Sequence, residues 1–446
     1  MNDKVTLKEK VCYAFANLGN IPIQTILGSY LLIFYTNVVG LSPASCATLF
    51  LVARVLDGLN DPFVGFAIDH IPTTKHGHFR PTLIIGTFLC SLNFLLLWFG
   101  PMMATSGKLI IAYITYLLIG VLFPVMDISL NSMLPVMTTD MDERNALSSL
   151  KGFVYMVGMF AINMIAPIII GNTTEKDGYI RLILIATIVI VVFSVGGALG
   201  LKERVQAKAG NKQYGVKDLI KILGAKPVAV TFLSTLVYMV GVYVMNTTLA
   251  YFFTYIIGNL TLISIVSIVQ LVALLPATIF VGVMIGKIGK KNSYICGLAL
   301  IGIALLIRLI DVKNIPILMI STALSGFASG LCMPLTYGIQ ADNTDYIELK
   351  LGIHAEAAVA ALSSFITKCG MGIGGAIPGY LLAVVGFDAA AQTQLPAVQS
   401  AIIGCAIVVP AILSVVGAII FAIGYPLTKE KLEVQTSEIK MKRAVK

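Results

Sequence analysis

Charged residues are scarce in this sequence. Asp, Glu, Lys and Arg make up only 12% of its 446 residues, about half of the roughly 25% that is usual in soluble domains. Hydrophobic residues account for 57%, and the mean hydropathy is +0.91. This balance excludes an ordinary soluble globular domain and indicates an integral membrane protein.

Catalytic and metal-binding motifs are missing as well. The seven cysteines stand singly with no CxxC pair, which argues against a metal cluster or a disulfide framework. The sequence contains no G-x4-GK[ST] phosphate loop, and no set of nucleophile and base or of metal ligands stands out. We therefore expect neither an enzyme nor an ATP-driven pump, and no bound cofactor.

Long apolar runs fill most of the chain. Twelve of them come close to or exceed the ~20 residues that a helix needs to cross the hydrocarbon core of a bilayer. They are continuously apolar rather than alternating, which favours helices over a β-barrel and predicts an all-α membrane protein. The predicted spans are residues 11–36, 43–69, 81–100, 108–136, 146–170, 180–201, 227–257, 261–286, 292–310, 315–341, 354–385 and 398–425.

One long polar interruption, residues 202–226, divides the twelve spans into six and six. Paired six-helix halves are typical of carriers that rock two bundles about a site near the middle of the membrane. The predicted domains are an N-terminal half (1–201), a linker (202–226), a C-terminal half (227–425) and a tail (426–446).

A short loop element occurs once in each predicted half. Residues 65–81 follow the second span and residues 282–292 follow the eighth, and both run from small residues into basic ones. In the first copy, the pattern of Gly65, Asp69 and Arg80 resembles the loop motif of the major facilitator superfamily.

Basic residues indicate the orientation of the chain. Most of the 31 Lys and Arg residues lie in loops on the side of the predicted spans that also carries both termini. Because positive loops face the cytoplasm, we expect both termini to be cytoplasmic and the protein to lie in the plasma membrane. The net charge of +9 then reflects basic loops near anionic lipid headgroups rather than nucleic-acid binding. The opposite side is predicted to carry Lys108, Lys176, Arg181, Arg308 and Lys313.

Three charged residues lie inside the second predicted span. Arg54, Asp57 and Asp61 have the spacing i, i+3, i+7, which places them on one face of a helix. Because a charge at mid-bilayer costs at least ~2.5 kcal/mol, this face is expected to line a cavity or to pair internally. Asp57 and Asp61 can supply carboxylate oxygens to a small hard cation, and Asn60 can add an amide oxygen or orient one of them.

Three further charges are predicted to lie inside spans, namely Asp127, Lys151 and Lys368. The acids and bases of the whole set balance, so a purely structural ion-pair network is one interpretation. In the functional interpretation, Lys368 neutralises the carboxylates of the second span until a cation displaces it. Such an exchange would couple cation binding to another event in the same protein.

Several ungapped stretches resemble one known family. They are FYTNVVGLS (34–42), ARVLDGLNDP (53–62), HGHFRP (76–81), VMDISLNSMLP (125–135), ADNTDYIELKLG (341–352) and ITKCGMGIGGAIPG (366–379). On these stretches the chain resembles, from end to end, the glycoside-pentoside-hexuronide cation symporters, a family typified by the melibiose and glucuronide carriers. The resemblance implies the twelve-helix major facilitator fold.

The resemblance also implies roles for individual residues. Asp57 and Asp61 match the acids of the cation site, and Asp127 matches an acid that contacts sugar hydroxyls. Lys151 stands where the family has an arginine near the sugar, and Lys368 where it has the lysine that links both sites. To these we add Asn131 at the sugar site and Arg54 among the coupling residues.

Two positions depart from the family pattern. Ile21 replaces a sugar-binding aspartate of the first helix, so Asp127 is predicted to lack its usual partner. Pro124 replaces a threonine that helps to hold sodium, which leaves both sodium and proton coupling open.

The sequence thus predicts a secondary active transporter that imports a sugar or glycoside of glucuronide (hexuronide), galactoside or xyloside type together with sodium or protons. The alternatives are a carrier of other organic or lipid-like solutes, and a sugar sensor that does not transport. Polar latches at the cytoplasmic face are expected to release as the two halves rock. The predicted latch residues are Asp69, Arg80, Asp140, Arg144, Asp342 and Asp345.

Overall fold

A computed structural model shows helices in nearly all of the chain that it describes. The described residues are 5–69, 74, 77–138, 140–171, 174–204, 216–352, 356–391 and 393–444. Within these ranges the one β-type pairing is an isolated bridge between Thr74 and Gly77. The predicted all-α fold class is therefore confirmed.

The helices follow the predicted spans closely. The first six are α1 (Leu7–Ile33, continued by a π-helical segment, Phe34–Val39), α2 (Pro43–Asp69), α3 (Phe79–Met103), α4 (Lys108–Met137), α5 (Met141–Gly171) and α6 (Glu175–Gly200). The next five are α7 (Val216–Gly224), α8 (Lys226–Tyr251, continued by a π-helical segment, Phe252–Ile257), α9 (Leu262–Ile307), α10 (Ile315–Leu351) and α11 (Glu356–Val384). The last three are α12 (Pro396–Ile403), α13 (Val409–Gly424), which a π-helical segment, Gly404–Val408, joins to α12, and α14 (Lys429–Ala444).

The lengths of these helices account for twelve membrane passes. In the described residues, nine helical segments are long and apolar enough to cross a membrane. One of them, α9, contains Gly289 at φ 77° and ψ 164°, so it consists of two helices that meet at this glycine. Two more helices, α2 and α11, have 27 and 29 residues, which is long enough for a pass at 1.5 Å per residue.

The side chains of α3 show how such a helix suits a membrane. Ile85, Phe88, Leu92 and Leu96 are about half exposed and recur on one face, whereas Phe94 on another face is fully buried. A continuous apolar stripe of this kind is unfavourable in water and matches the hydrocarbon of a bilayer.

The chain forms two compact units. Unit 1 contains Met1–Ala209, Asn259–Ser264 and Gly379–Gln394, and unit 2 contains Gly210–Gly258, Ile265–Pro378 and Leu395–Lys446. The functional division into halves 1–201 and 227–425 remains a prediction.

Each unit has its own aromatic core. In unit 1, the ring centroid of Phe34 lies 4.8 Å from that of Trp98 and 5.1 Å from that of Tyr179. These contacts join the π-helical segment that follows α1 to α3 and α6. In unit 2, Phe421 of α13 lies 4.8 Å from Tyr294 and stacks on Tyr425 at 4.3 Å. Buried aromatic pairs of this geometry hold helices together beyond the area that they remove from solvent.

Candidate functional site

Arg54 and Asp57 form an ion pair within α2. Arg54 Nη1 lies 2.9 Å from Asp57 Oδ2, and Arg54 Nη2 donates a hydrogen bond of 3.3 Å to the hydroxyl of Tyr116 on α4. Asp57 is only 8% exposed. The two residues that the i, i+3 spacing placed on one face of α2 therefore bond to each other, and Tyr116 of α4 contacts the pair.

Gly120 of α4 makes room for the Asp57 carboxylate. A Cβ atom built on Gly120 would overlap with Asp57 Oδ1, so no larger residue fits at this position without moving the carboxylate. Such close approach of a backbone to a functional group is one of the physical reasons for a glycine inside a helix. Gly120 carries no charge, so the pattern of charges in the sequence does not predict its role.

The other two predicted cation ligands are placed only in part. Asn60 is half-buried on α2, one turn after Asp57. The backbone of Asp61 belongs to α2, but its side chain lies outside the described residues. The role of these residues in cation binding therefore stays a prediction.

Asp127 is the centre of a second polar cluster, to which three helices contribute. Asn20 of α1 donates a hydrogen bond of 3.3 Å to Asp127 Oδ1, and Asn131, one turn further along α4, donates one of 2.9 Å to Asp127 Oδ2. Lys151 of α5 donates in turn to Asn131 Oδ1. The ammonium group thus reaches the carboxylate through an amide, and both carboxylate oxygens have a donor.

Asn20 has unused hydrogen-bonding capacity. It is 7% exposed, and its Oδ1 atom is buried with no hydrogen-bond partner in the described part of the chain. A buried amide oxygen without a partner is costly and marks a place where a further donor is expected.

Asn20 gives Asp127 a partner on the first helix that was not predicted. Ile21 was expected to leave Asp127 without its usual partner, the aspartate that the family has at this position. The structure buries Ile21 against Gly158 of α5 and instead directs the preceding residue, Asn20, towards Asp127. The signal that could have found Asn20 was an amide inside an otherwise apolar span.

Lys368 lies on α11 in unit 2 and is half-buried. Arg54, Asp57 and Asp127 all belong to unit 1. The predicted coupling role of Lys368 concerns residues of both units, and it stays a prediction.

The predicted latch residues of unit 1 bind main-chain oxygens. Arg80 Nη2 donates to the carbonyl of Leu199 at 2.7 Å. Arg144 donates to the carbonyls of Thr138 and Pro135 at 2.8 and 3.0 Å, which caps the end of α4. Asp140 is exposed and precedes α5, and the side chain of Asp69 lies outside the described residues.

The residues that follow α6 make contacts that the sequence analysis missed. The carboxylate of Glu203 accepts hydrogen bonds of 2.8 Å from the backbone N–H groups of His78, Phe79 and Arg80, so it caps the beginning of α3. Arg204 forms two bonds of 2.8 and 2.9 Å to Glu9 of α1, which is 3% exposed. This stretch joins α1, α3 and α6 at one end of unit 1.

Unit 2 contains an ion pair at a predicted latch residue. Lys290, beside the break in α9, lies 2.7 and 2.9 Å from the two oxygens of Asp342 on α10. Gln435 of α14 donates to the backbone carbonyl of Asp342 at 2.7 Å, and Asp345 is half-buried one turn away. The predicted tail thus forms a helix that docks on α10.

Comparisons with known proteins match the whole length of the chain. The family described as MFS/sugar transport protein matches residues 12–429. The isoprimeverose transporter of Lactiplantibacillus pentosus is 33% identical over 394 residues, which cover 86% of this chain and 82% of that protein. The glucuronide carrier protein homolog of Escherichia coli (strain K12) is 25% identical over 456 residues, which cover 100% of this chain and 98% of that protein.

A solved structure supports the fold. The crystal structure of a D-xylose-proton symporter aligns with a TM-score of 0.68 at 15% identity, covering 94% of this chain and 98% of that one. At this level of identity the likeness establishes the major facilitator fold.

Proposed function

The chain belongs to this MFS/sugar transport protein family, and on that premise we propose that it is a secondary active transporter that carries a sugar or glycoside together with sodium or a proton. The substrate crosses the membrane chemically unchanged, by alternating exposure of one site to the two sides. The residues on which this proposal depends are those of the two polar clusters in unit 1.

The observation that carries the proposal is the cluster around Asp127. A carboxylate that accepts from two amide donors, beside an amide oxygen with no partner, offers both acceptors and exchangeable donors to a polyhydroxylated ligand. We assign Asp127 to hydrogen bonds from neighbouring sugar hydroxyls, Asn20 and Asn131 to the flanking contacts, and Lys151 to holding Asn131 in place. These side chains lie among apolar helices, where such an arrangement is expensive unless a ligand uses it.

The ion pair of α2 supports a cation site next to it. Asp57 and Asp61 would supply carboxylate oxygens, and Asn60 an amide oxygen, which are the ligands that a hard cation prefers. Because Arg54 already neutralises Asp57, an arriving cation has to displace a guanidinium. This exchange, with Lys368 of unit 2 as a second internal cation, would make sugar affinity depend on the bound ion, and the ion affinity would depend on sugar by the same factor.

The remaining assignments complete the transport cycle. We place the protein in the plasma membrane with both termini in the cytoplasm, so that Asp69, Arg80, Asp140, Arg144, Asp342 and Asp345 lie at the cytoplasmic face. There they would act as latches between helices that release as the two halves rock.

The names of two relatives, for isoprimeverose and for glucuronide, suggest which substrates to test first. The test is accumulation of radiolabelled sugars in proteoliposomes that contain the purified full-length protein. A xyloside, a glucuronide and a galactoside are compared, with sodium and proton gradients imposed separately. We expect one sugar class to accumulate uphill under one of the gradients.

Variants separate symport from the alternatives. Asp57→Cys should abolish uphill accumulation under either gradient, whereas Asp311→Asn, which alters an exposed acid of unit 2, should leave it unchanged. Sugar binding without accumulation under any gradient would favour the sensor. Transport of organic solutes other than sugars would favour the broader carrier.

A further inference from the structure

Arg308 is a buried cation of unit 2, whereas both polar clusters described above belong to unit 1. It follows the last residue of α9 and was expected among the basic residues of the loop before α10. In the structure it is only 8% exposed. Its surroundings belong to unit 2 and take no part in the proposed transport site.

The guanidinium of Arg308 binds two hydroxyl groups of α10. Nε donates to Ser321 Oγ at 2.7 Å and Nη2 donates to Thr322 Oγ1 at 3.0 Å. Ser321 and Thr322 are 0% and 1% exposed. Thr322 lies about 10 Å from Ile315, the first residue of α10, at 1.5 Å per residue. The guanidinium that binds Thr322 is therefore well away from the end of this helix.

These contacts do not neutralise the charge. Hydroxyl oxygens are neutral, and in the described part of the chain no carboxylate bonds to Arg308. The carbonyl end of α9 offers only about half an elementary charge, and one of its carbonyls, that of Ala304, already accepts from Ser321 at 2.6 Å. A buried arginine that lacks an anionic partner is strongly unfavourable unless an ion supplies one.

Donors remain available at this position. Of the five N–H groups of an arginine, only the two that bind Ser321 and Thr322 have acceptors in the described residues. The Thr322 hydroxyl accepts from Arg308, and its own hydrogen is not committed to any acceptor there. The uncommitted donors thus belong to a guanidinium and a hydroxyl that lie side by side.

We propose that Arg308 and Thr322 bind a small inorganic anion of the chloride class. Because both side chains are buried, a ligand that reaches them has to be small, which favours an inorganic ion over a larger organic anion. The bound anion completes the charge balance of the α9 and α10 contact, so it stabilises unit 2 whether or not sugar is present.

The test is thermal unfolding of the purified full-length protein in detergent, with chloride exchanged for gluconate at constant ionic strength. A ligand that binds only the folded state raises the melting temperature as its concentration rises. We expect chloride to raise the melting temperature of the wild type by several degrees in a saturable way. The same series is repeated with added phosphatidylglycerol, which offers a lipid phosphate instead.

Four variants make the result specific. Arg308→Gln should abolish the chloride response. Arg308→Lys keeps the charge without the planar fork of donors, and Thr322→Val removes the hydroxyl at similar shape, so both should shift the titration to at least several-fold higher chloride. If Arg308→Gln does not fold, these two variants carry the test. Lys313→Gln, which removes an exposed cation of the same loop, should titrate like the wild type.

Other outcomes overturn the proposal. They are equal melting temperatures of the wild type in chloride and gluconate, an unchanged response in Thr322→Val and Arg308→Lys, and a response that Lys313→Gln also loses. Stabilisation by phosphatidylglycerol alone would identify a lipid headgroup site instead. No sugar or ion gradient enters this assay, so its result is independent of the proposed transport function.

Discussion

Arg54 forms an ion pair with Asp57 one turn along α2, with 2.9 Å between Nη1 and Oδ2, and it also donates a hydrogen bond to the hydroxyl of Tyr116. Arg54 thus occupies the carboxylate of Asp57, which is proposed to bind the coupled cation. An internal cation that must leave before a transported one enters gives the protein a means of linking ion binding to a change of state.

The pair predicts a cation-dependent stability for Arg54→Gln. The pair is part-buried, so removing one partner should cost less than the about 3–5 kcal/mol of a fully buried pair. This variant should still melt at a lower temperature in buffer without the coupled ion. A cation that binds Asp57 should restore much of the loss, because it replaces the missing charge. The measurement is the melting temperature against sodium concentration and against pH, with Arg181→Gln, an exposed cation of α6, as the control. A melting temperature that neither sodium nor acid restores would argue against a cation site at Asp57.

Gly120→Ala should impair both transport and stability. The added methyl group would overlap with Oδ1 of Asp57 and displace the carboxylate from its place beside α4. Overpacking of this kind costs ~1–3 kcal/mol, and we expect uphill sugar accumulation to fall by at least about tenfold, the equivalent of ~1.4 kcal/mol. Gly28→Ala is the matched control, because a Cβ built there meets no atom within 4 Å. Equal transport by the two variants would show that the position of Asp57 is unimportant.

Asn20→Ala should weaken sugar binding. Asn20 bonds to Asp127 and holds an unused acceptor beside it. Loss of a hydrogen bond that involves a charged group costs about 1.5–3 kcal/mol, so the KM for sugar should rise roughly ten- to hundred-fold while the maximal rate changes little. Ile21→Val, one residue further on, trims a buried side chain that packs on Gly158 and should leave the KM unchanged. If the KM rises in Ile21→Val and not in Asn20→Ala, the sugar site lies elsewhere.

Glu203→Ala should destabilise unit 1 without altering sugar affinity. The side chain accepts from three N–H groups at the beginning of α3, and loss of a helix cap costs about 0.5–2 kcal/mol. We expect a lower melting temperature for Glu203→Ala, an intermediate one for Glu203→Gln, which keeps an acceptor oxygen, and an unchanged KM in both. A changed transport rate at an unchanged melting temperature would assign Glu203 to the conformational cycle rather than to capping.

The charge pattern of α2 shows how far sequence reasoning reaches into the site. The i, i+3 spacing placed Arg54 and Asp57 on one face, and the structure finds them bonded within that face. The same reasoning named Lys368 as the internal competitor, and that role stays a prediction. The contact that the structure describes for Asp57 is with Arg54, because a partner on the same helix needs no tertiary arrangement. Asn20 was not recognised, since a neutral amide in an apolar run gives no electrostatic signal.

Arg308 shows a contact that the pattern of charges in the sequence does not predict. Positive-inside counting set Arg308 among the basic residues on the side opposite the termini. The chain folds its side chain onto hydroxyls of α10. Arg80 and Arg144 were expected to act as latches between helices, and that role stays a prediction. The contacts described for them are with main-chain carbonyls of unit 1.

The sequence by itself determined the helical class, the number of membrane passes and the family. These properties depend on local facts: a backbone in hydrocarbon must satisfy its own polar groups, and a run of about 20 apolar residues satisfies them as a helix. Only the tertiary structure decided which polar groups meet, as Asn20 meets Asp127 and Asp57 meets Gly120. Such contacts depend on the rotation and neighbours of each helix, and small residues and neutral amides that set them leave no periodic mark in the sequence.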